Sequence, residues 1–224
     1  MPLCAAVFDL DGLMADSEPL AEWAWNQVLA RYGQRLDGPT LQAILGLRVV
    51  DSARFLCERF RLPIPPEEAM AARDRLFLDA VPGQLQARPG LYRLLDELDA
   101  RRLPLGVATS GHRRYVALAL RTLGVADRFA AVVTGEDVAR GKPAPDVYRQ
   151  AAARLGVSPV RCLALEDSPI GVEAAWAAGM VCVAVPTVHT AGLGFAHAAR
   201  VFASLDEVTG ALDGLLSLSD VGGG

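Results

Sequence analysis

The sequence predicts an α/β fold, a parallel sheet with helices on both faces, interrupted by a smaller all-helical insertion. Three observations carry this expectation. Short apolar runs alternate with helical patterns of about 10 to 15 residues over most of the chain. The stretch from about Ser17 to Pro82 contains no good strand. Polar residues able to do chemistry recur where the apolar runs end.

The first strand is Leu3 to Phe8, closed by Asp9-Leu10-Asp11-Gly12. The insertion reads as helices over Glu18 to Tyr32, Thr40 to Leu45, Asp51 to Arg61 and Glu67 to Val81. They are separated by Gly38-Pro39, by Gly46 and by Pro63-Ile64-Pro65-Pro66. A helix over Leu91 to Arg101 leads into a strand at Leu105 to Ala108, and a helix over Tyr115 to Leu123 leads toward a strand at Ala130 to Val133. Further strands are Cys162 to Leu165 and Val181 to Val185, with a helix between them that Pro169 opens and Gly179 closes, and a weaker strand at Arg200 to Phe202. The expected organisation is a Rossmann-like α/β core from residues 1–15 and 83–220, a helical cap over 16–82, and a disordered tail over 221–224.

Composition excludes several classes of function. At 224 residues the chain suits one core domain with an insertion, and 52% apolar against 21% charged residues reads as globular. A formal charge of −4 with no basic tract argues against a nucleic-acid partner or a membrane patch. No stretch approaches the roughly 18 apolar residues of a membrane span, and the first residues lack the charged region of a signal peptide. A cytoplasmic location is expected, and a monomer is compatible with the composition. Cys4, Cys57, Cys162 and Cys182 show no metal-ligand spacing and read as buried free thiols. Of the 22 basic residues 21 are arginine, so Lys142 is the only lysine in the chain.

In an open parallel sheet, ligands sit outside the carboxyl ends of the strands, so residues following each strand converge. Those residues are Asp9 and Asp11, Thr109 and Ser110, Gly141-Lys142-Pro143, and Glu166 and Asp167. Two carboxylates 4 Å apart repel by about 4 kcal/mol at an effective dielectric of 20, so such a cluster needs a cation or a shared proton. Oxygen ligands without histidine or cysteine point to a hard ion, Mg²⁺. The ion, Lys142 and the hydroxyls would hold an anionic group, for which phosphate fits best.

Each piece also has an ordinary structural explanation. Asp-x-Asp-Gly is a common strand-ending turn, and Thr109-Ser110 or Glu166-Asp167-Ser168-Pro169 could simply cap helices. Residues 135–142 miss a Walker loop by one residue of spacing, and Pro143 stands where Ser or Thr is required. Four such pieces in order, each at an expected strand end, are much less easily explained that way.

The same residues resemble those of haloacid-dehalogenase-superfamily phosphatases with a helical cap, over nearly the whole chain. Residues 8–18 (FDLDGLMADSE) resemble the first motif, Ala108-Thr109-Ser110 the second, residues 141–146 (GKPAPD) the third and residues 165–175 (LEDSPIGVEAA) the fourth. The resemblance implies that Asp9 is a nucleophile forming an aspartyl-phosphate and that Asp11 is the acid and base. It implies Mg²⁺ on the Asp9 and Asp167 carboxylates and the Asp11 carbonyl, with Glu166 behind them or joined through water. Thr109, the Ser110 N–H and Lys142 would take the phosphoryl oxygens.

The expected partner is a small phosphorylated metabolite, a sugar phosphate or similar. In the cap, Arg48 and Arg73 are candidates for sugar-hydroxyl or second-phosphate contacts, and Trp23 for a pocket wall. Trp25 falls on the apolar stripe Ala21, Trp25, Val28, Leu29, Tyr32 and is expected in the cap core. Two alternatives are a sugar phosphomutase resembling β-phosphoglucomutase and a non-catalytic binding relative. The mutases this chain resembles use a cap histidine and a cap lysine. The histidine's place falls at Ala21, and the cap has neither residue type.

Overall fold

Strand β1 (Ala5–Phe8) lies inside a six-stranded sheet of order β3-β2-β1-β4-β5-β6, in which every neighbouring pair is parallel. The others are β2 (Leu105–Ala108), β3 (Ala131–Val133), β4 (Cys162–Glu166), β5 (Val181–Ala184) and β6 (Arg200–Val201). The computed structural model describes residues 2–44 and 47–218. The tail expected to be disordered, 221–224, lies outside the described residues, as does Leu45 at the end of an expected helix.

Alternation along the buried strands sorts side chains by size. Ala6, Phe8, Leu105, Val107, Leu163 and Leu165 face one layer, packed by α5 (Leu91–Ala100), α6 (Arg113–Thr122) and α9 (Leu205–Leu216). Ala5, Val7, Ala108, Cys162, Ala164 and Ala184 face the other, under α7 (Asp146–Leu155) and α8 (Pro169–Ala177). The central strands are buried on both faces, as the crossovers of a parallel sheet require. Register sets the site: Phe8 pairs with Val107 and Leu165, so the residues after β1, β2 and β4 emerge side by side at one edge.

Between β1 and α5 run α1 (Glu18–Ala30), α2 (Gly38–Ile44), α3 (Val49–Phe60) and α4 (Pro66–Gln84). They bury a cluster of their own that includes Trp25, Leu29, Ile44, Leu56 and Ala69. The lower half of α4 instead sends Phe77, Leu78 and Val81 into the cluster of the sheet layer. Helix α4 runs through Pro82 to Gln84, beyond Val81 where the sequence reading ended it. The ring removes only its own N–H bond, and Leu85 N still donates to Val81 O at 3.1 Å. Among the described residues no helix is long and apolar enough to cross a membrane.

Candidate active site

Asp9 extends β1 by one bond, its N–H donating to Leu165 O at 3.0 Å, which plants its side chain at the sheet edge. The chain then reverses in a tight turn, with Met14 N and Ala15 N both donating to Leu10 O. Gly12 makes the turn possible. Its φ is +80°, and a Cβ there would overlap the Asp167 carboxylate. The turn leaves the Asp11 carboxylate accepting from Ser17 Oγ and Tyr115 Oη, both at 2.5 Å. The Asp11 carbonyl accepts no backbone hydrogen bond among the described residues.

Thr109 continues β2, and its N–H donates to Val133 O. Its Oγ1 accepts from Gly111 N at 3.0 Å, which fixes the rotamer. Lys142 is buried, and its Nζ donates to Asp9 Oδ1 at 2.6 Å and to Glu166 Oε1 at 2.5 Å. Burial alone would lower its pKa, but the Asp9 and Glu166 charges outweigh burial and hold it above the usual lysine range.

Glu166 is fully buried and saturated. Oε1 accepts from Lys142 and Tyr148 Oη, and Oε2 from Asp167 N, Ser168 N and Ser168 Oγ, five bonds for a carboxylate with about four acceptor sites. The sequence reading put Glu166 among the metal-site residues. By distance it belongs there, but its oxygens are occupied by protein donors, so it anchors Lys142 and the β4–α8 turn. Asp167 differs: no described residue donates to its carboxylate.

One oxygen each from Asp9, Glu166 and Asp167 lie within 4.8 Å of one another. Burial, opposed by Lys142 and helped by Glu166 and Asp11, pushes Asp9 up to about 8. Burial, then Glu166 and Asp9, raises Asp167 well above the carboxylate range. With all three carboxylates ionised, the one ammonium would leave two excess negative charges in a buried site, which is the physical cause of the raised values. The Asp167 carboxylate, the Asp9 oxygen not bonded to Lys142 and the Asp11 carbonyl, none of them holding a donor among the described residues, are hard oxygen donors of the kind a divalent cation takes, so the residues present fit such an ion.

These groups open into a cavity of 130 Å³ closed on the other side by the helical insertion. Asp9, Asp11, Thr109, Ser110, Lys142 and Asp167 all line it. Of the three cap candidates only Arg73 does. It is 5% exposed, its guanidinium lies 3.9 Å over the Phe77 ring, and Nη1 donates to Asp74 at 3.0 Å. Its Nε has no partner among the described residues. Arg48 is instead held by Asp51 at 2.7 Å and borders a neighbouring groove with His112, outside the cavity.

Trp23 is 39% exposed and does not line the cavity; Trp25 does, while also packing in the cluster of the insertion. The reason is helical phase. Glu18, Ala21, Glu22 and Trp25 form the i, i+3, i+4, i+7 stripe that α1 turns inward, and Trp23 points elsewhere. The sequence reading also missed Tyr115 and Tyr148, whose hydroxyls hold Asp11 and Glu166. Nothing local marks either tyrosine, since each sits on an ordinary apolar helix face. Ser17, in contrast, stood within the first motif. His112 lies 3.4 Å from Asp74 of α4, and its Nδ1 accepts from Tyr115 N to cap α6.

A family model described as haloacid dehalogenase-like hydrolase matches residues 5–179. The probable pseudouridine-5'-phosphatase of Drosophila melanogaster is 36% identical over 222 residues, spanning 96% of this chain and 95% of that protein. The fructose-1-phosphate phosphatase YqaB of Escherichia coli is 34% identical over 184 residues, 80% of this chain and 94% of that one. Among solved structures, CbbY from Rhodobacter sphaeroides in complex with phosphate superposes with a TM-score of 0.83 at 31% identity, over 92% of this chain and 96% of that one.

Proposed function

Because this chain belongs to the haloacid dehalogenase-like hydrolases, we propose that it hydrolyses a small phosphomonoester, a sugar phosphate or a similar metabolite, through an aspartyl-phosphate on Asp9. One observation carries the reading. At the sheet edge a buried carboxylate that lines a cavity has one oxygen held by Lys142 and the other taking no side-chain donor among the described residues, beside a second aspartate held by two hydroxyls.

The Asp9 oxygen not bonded to Lys142 attacks phosphorus while the bond from phosphorus to the leaving oxygen breaks. Asp11, in its acid form, gives its proton to that oxygen and releases a free alcohol. In the second step Asp11 removes a proton from water, whose oxygen displaces Asp9 from phosphorus. Ser17 and Tyr115 hold Asp11 through both steps. Lys142 has one N–H left after Asp9 and Glu166, and with the Thr109 hydroxyl and the Ser110 N–H it takes phosphoryl oxygens. A divalent cation, which we take to be Mg²⁺, would be held by Asp9, Asp167 and the Asp11 carbonyl and would neutralise phosphoryl charge when bound.

Water is the acceptor in this reading, and a second sugar hydroxyl is not. Ala21 lines the cavity where the mutases resembled by this chain carry histidine, and alanine exchanges no proton. Residues 16–82 act as the cap over a core of 1–15 and 83–220. One chain completes the cavity, so a monomer suffices. Four free cysteines suit a reducing cytoplasm.

The test is a phosphate-release screen over phosphorylated metabolites, with Mg²⁺ or with excess chelator, on the native enzyme and on Asp9→Asn. Release from at least one metabolite, lost with chelator and lowered at least about 1000-fold by Asp9→Asn, is the expected result. Release that survives Asp9→Asn would remove the nucleophile, and conversion of a hexose 1-phosphate to its 6-phosphate faster than release would make the enzyme a mutase.

A further inference from the structure

The part of the cavity beyond the phosphate has a charge balance of its own. Its charged lining residues, apart from those placed at the phosphate and cation, are Glu18 and Glu22 of α1 and Arg73 of α4. Arg73 is already half neutralised, since Nη1 donates to Asp74 at 3.0 Å. The other arginine proposed from the sequence, Arg48, faces a separate groove and is tied to Asp51. Among the described residues, the leaving-group side therefore offers two carboxylates and no uncommitted cation.

Its neutral features are equally specific. Arg73 Nε is a buried N–H without a partner among the described residues, and it needs an oxygen acceptor. Glu18 and Glu22 are acceptors that need O–H or N–H donors; among the described residues the Glu18 carboxylate takes one hydrogen bond, from Thr187 Oγ1 at 3.2 Å. Trp25 and Phe77 supply flat apolar walls. Resting on the phosphatase reading, we propose that the leaving group is a neutral polyhydroxylated alcohol, a sugar or nucleoside, and that Glu18 and Glu22 exclude substrates bearing a second phosphate or a carboxylate. Hydroxyl groups satisfy both the orphan donor and the two acceptors, whereas a second anion would face the like charge of Glu18 and Glu22.

The test compares kcat/KM for phosphate release by the Mg²⁺-loaded enzyme on matched pairs. The pairs are fructose 1-phosphate with fructose 1,6-bisphosphate, glucose 6-phosphate with glucose 1,6-bisphosphate, and glycerol 3-phosphate with 3-phosphoglycerate. The neutral member is expected to be favoured by at least about tenfold in every pair that turns over. Glu22→Gln should narrow that ratio, chiefly by lowering KM for the charged member. Arg73→Met should cut kcat/KM for the neutral member about tenfold, and less for phenyl phosphate, which has no hydroxyl to offer. Equal or better use of the charged members, or an unchanged ratio in Glu22→Gln, overturns the inference and leaves the phosphatase reading standing. No release from any compound of the wider metabolite screen defeats the phosphatase reading, and the inference with it.

Discussion

Tyr115 shows how far a single side chain reaches. Its ring packs edge-on against Phe77 of the cap at 4.8 Å, while its hydroxyl holds Asp11. Burial, and then the Asp11 charge, raises the phenol well above its ordinary range, so it stays a donor at every pH of interest. Tyr115→Phe keeps the packing and removes one of the two donors on Asp11. A lost hydrogen bond of this kind is worth about 1–3 kcal/mol, so kcat should fall about tenfold or more with KM changed less than about twofold. Steady-state kinetics on the best substrate of the screen decides it. An unchanged kcat would mean that Ser17 alone positions Asp11.

At the scale of elements, the loops after the strands do the positioning. The loop after β3 is organised by Asp137, whose carboxylate accepts from Thr134 N and Oγ1 and pairs with Arg154 and Arg113. Burial opposes ionisation there, but the Thr134 bonds and Arg154 outweigh it and pull the pKa from 3.8 down to about 2. A depressed carboxylate stabilises the fold above its unfolded pKa, and that contribution is lost as pH falls through the folded value. It is therefore complete above about pH 5 and disappears between about pH 4 and pH 2, and a shift of this size corresponds to about 2 kcal/mol. Asp137→Asn should lose about that much stability at pH 7 in urea denaturation, and the gap to the native protein should close toward pH 2. A gap that stays constant with pH would rule out the ionic origin.

For the molecule as a whole, the site is a cost to folding until it is filled. Without an ion, its carboxylates must either hold excess negative charge beside the sheet edge, where water screens it little, or take up protons, as the raised values of Asp9 and Asp167 indicate. A divalent cation that binds only the folded chain stabilises it by mass action, about 2.7 kcal/mol at one hundred times its dissociation constant. Adding about 10 mM Mg²⁺ to chelator-treated protein should thus raise Tm by about 3 °C or more. Asp167→Asn should shrink the rise. An identical Tm with and without the ion would remove the cation from the site.

The sequence by itself determined the α/β sheet and the positions that meet at its edge. Each strand is a short apolar run ending in polar residues, and a parallel sheet brings all such ends to one side, so Asp9, Thr109, Lys142 and Asp167 could be named from contiguous stretches. Gly12 was legible too, although its near overlap with Asp167 was not. The tertiary structure alone decided how the helical insertion faces that edge. Whether Trp23 or Trp25 enters the cavity depends on the rotation of α1. Whether Arg48 or Arg73 does depends on how α3 and α4 dock, and neither is written in a local pattern. The hydroxyls of Tyr115 and Tyr148 join the site for the same reason. Residues 104 positions apart, such as Asp11 and Tyr115, become partners only when separate layers pack and a buried carboxylate must find a donor.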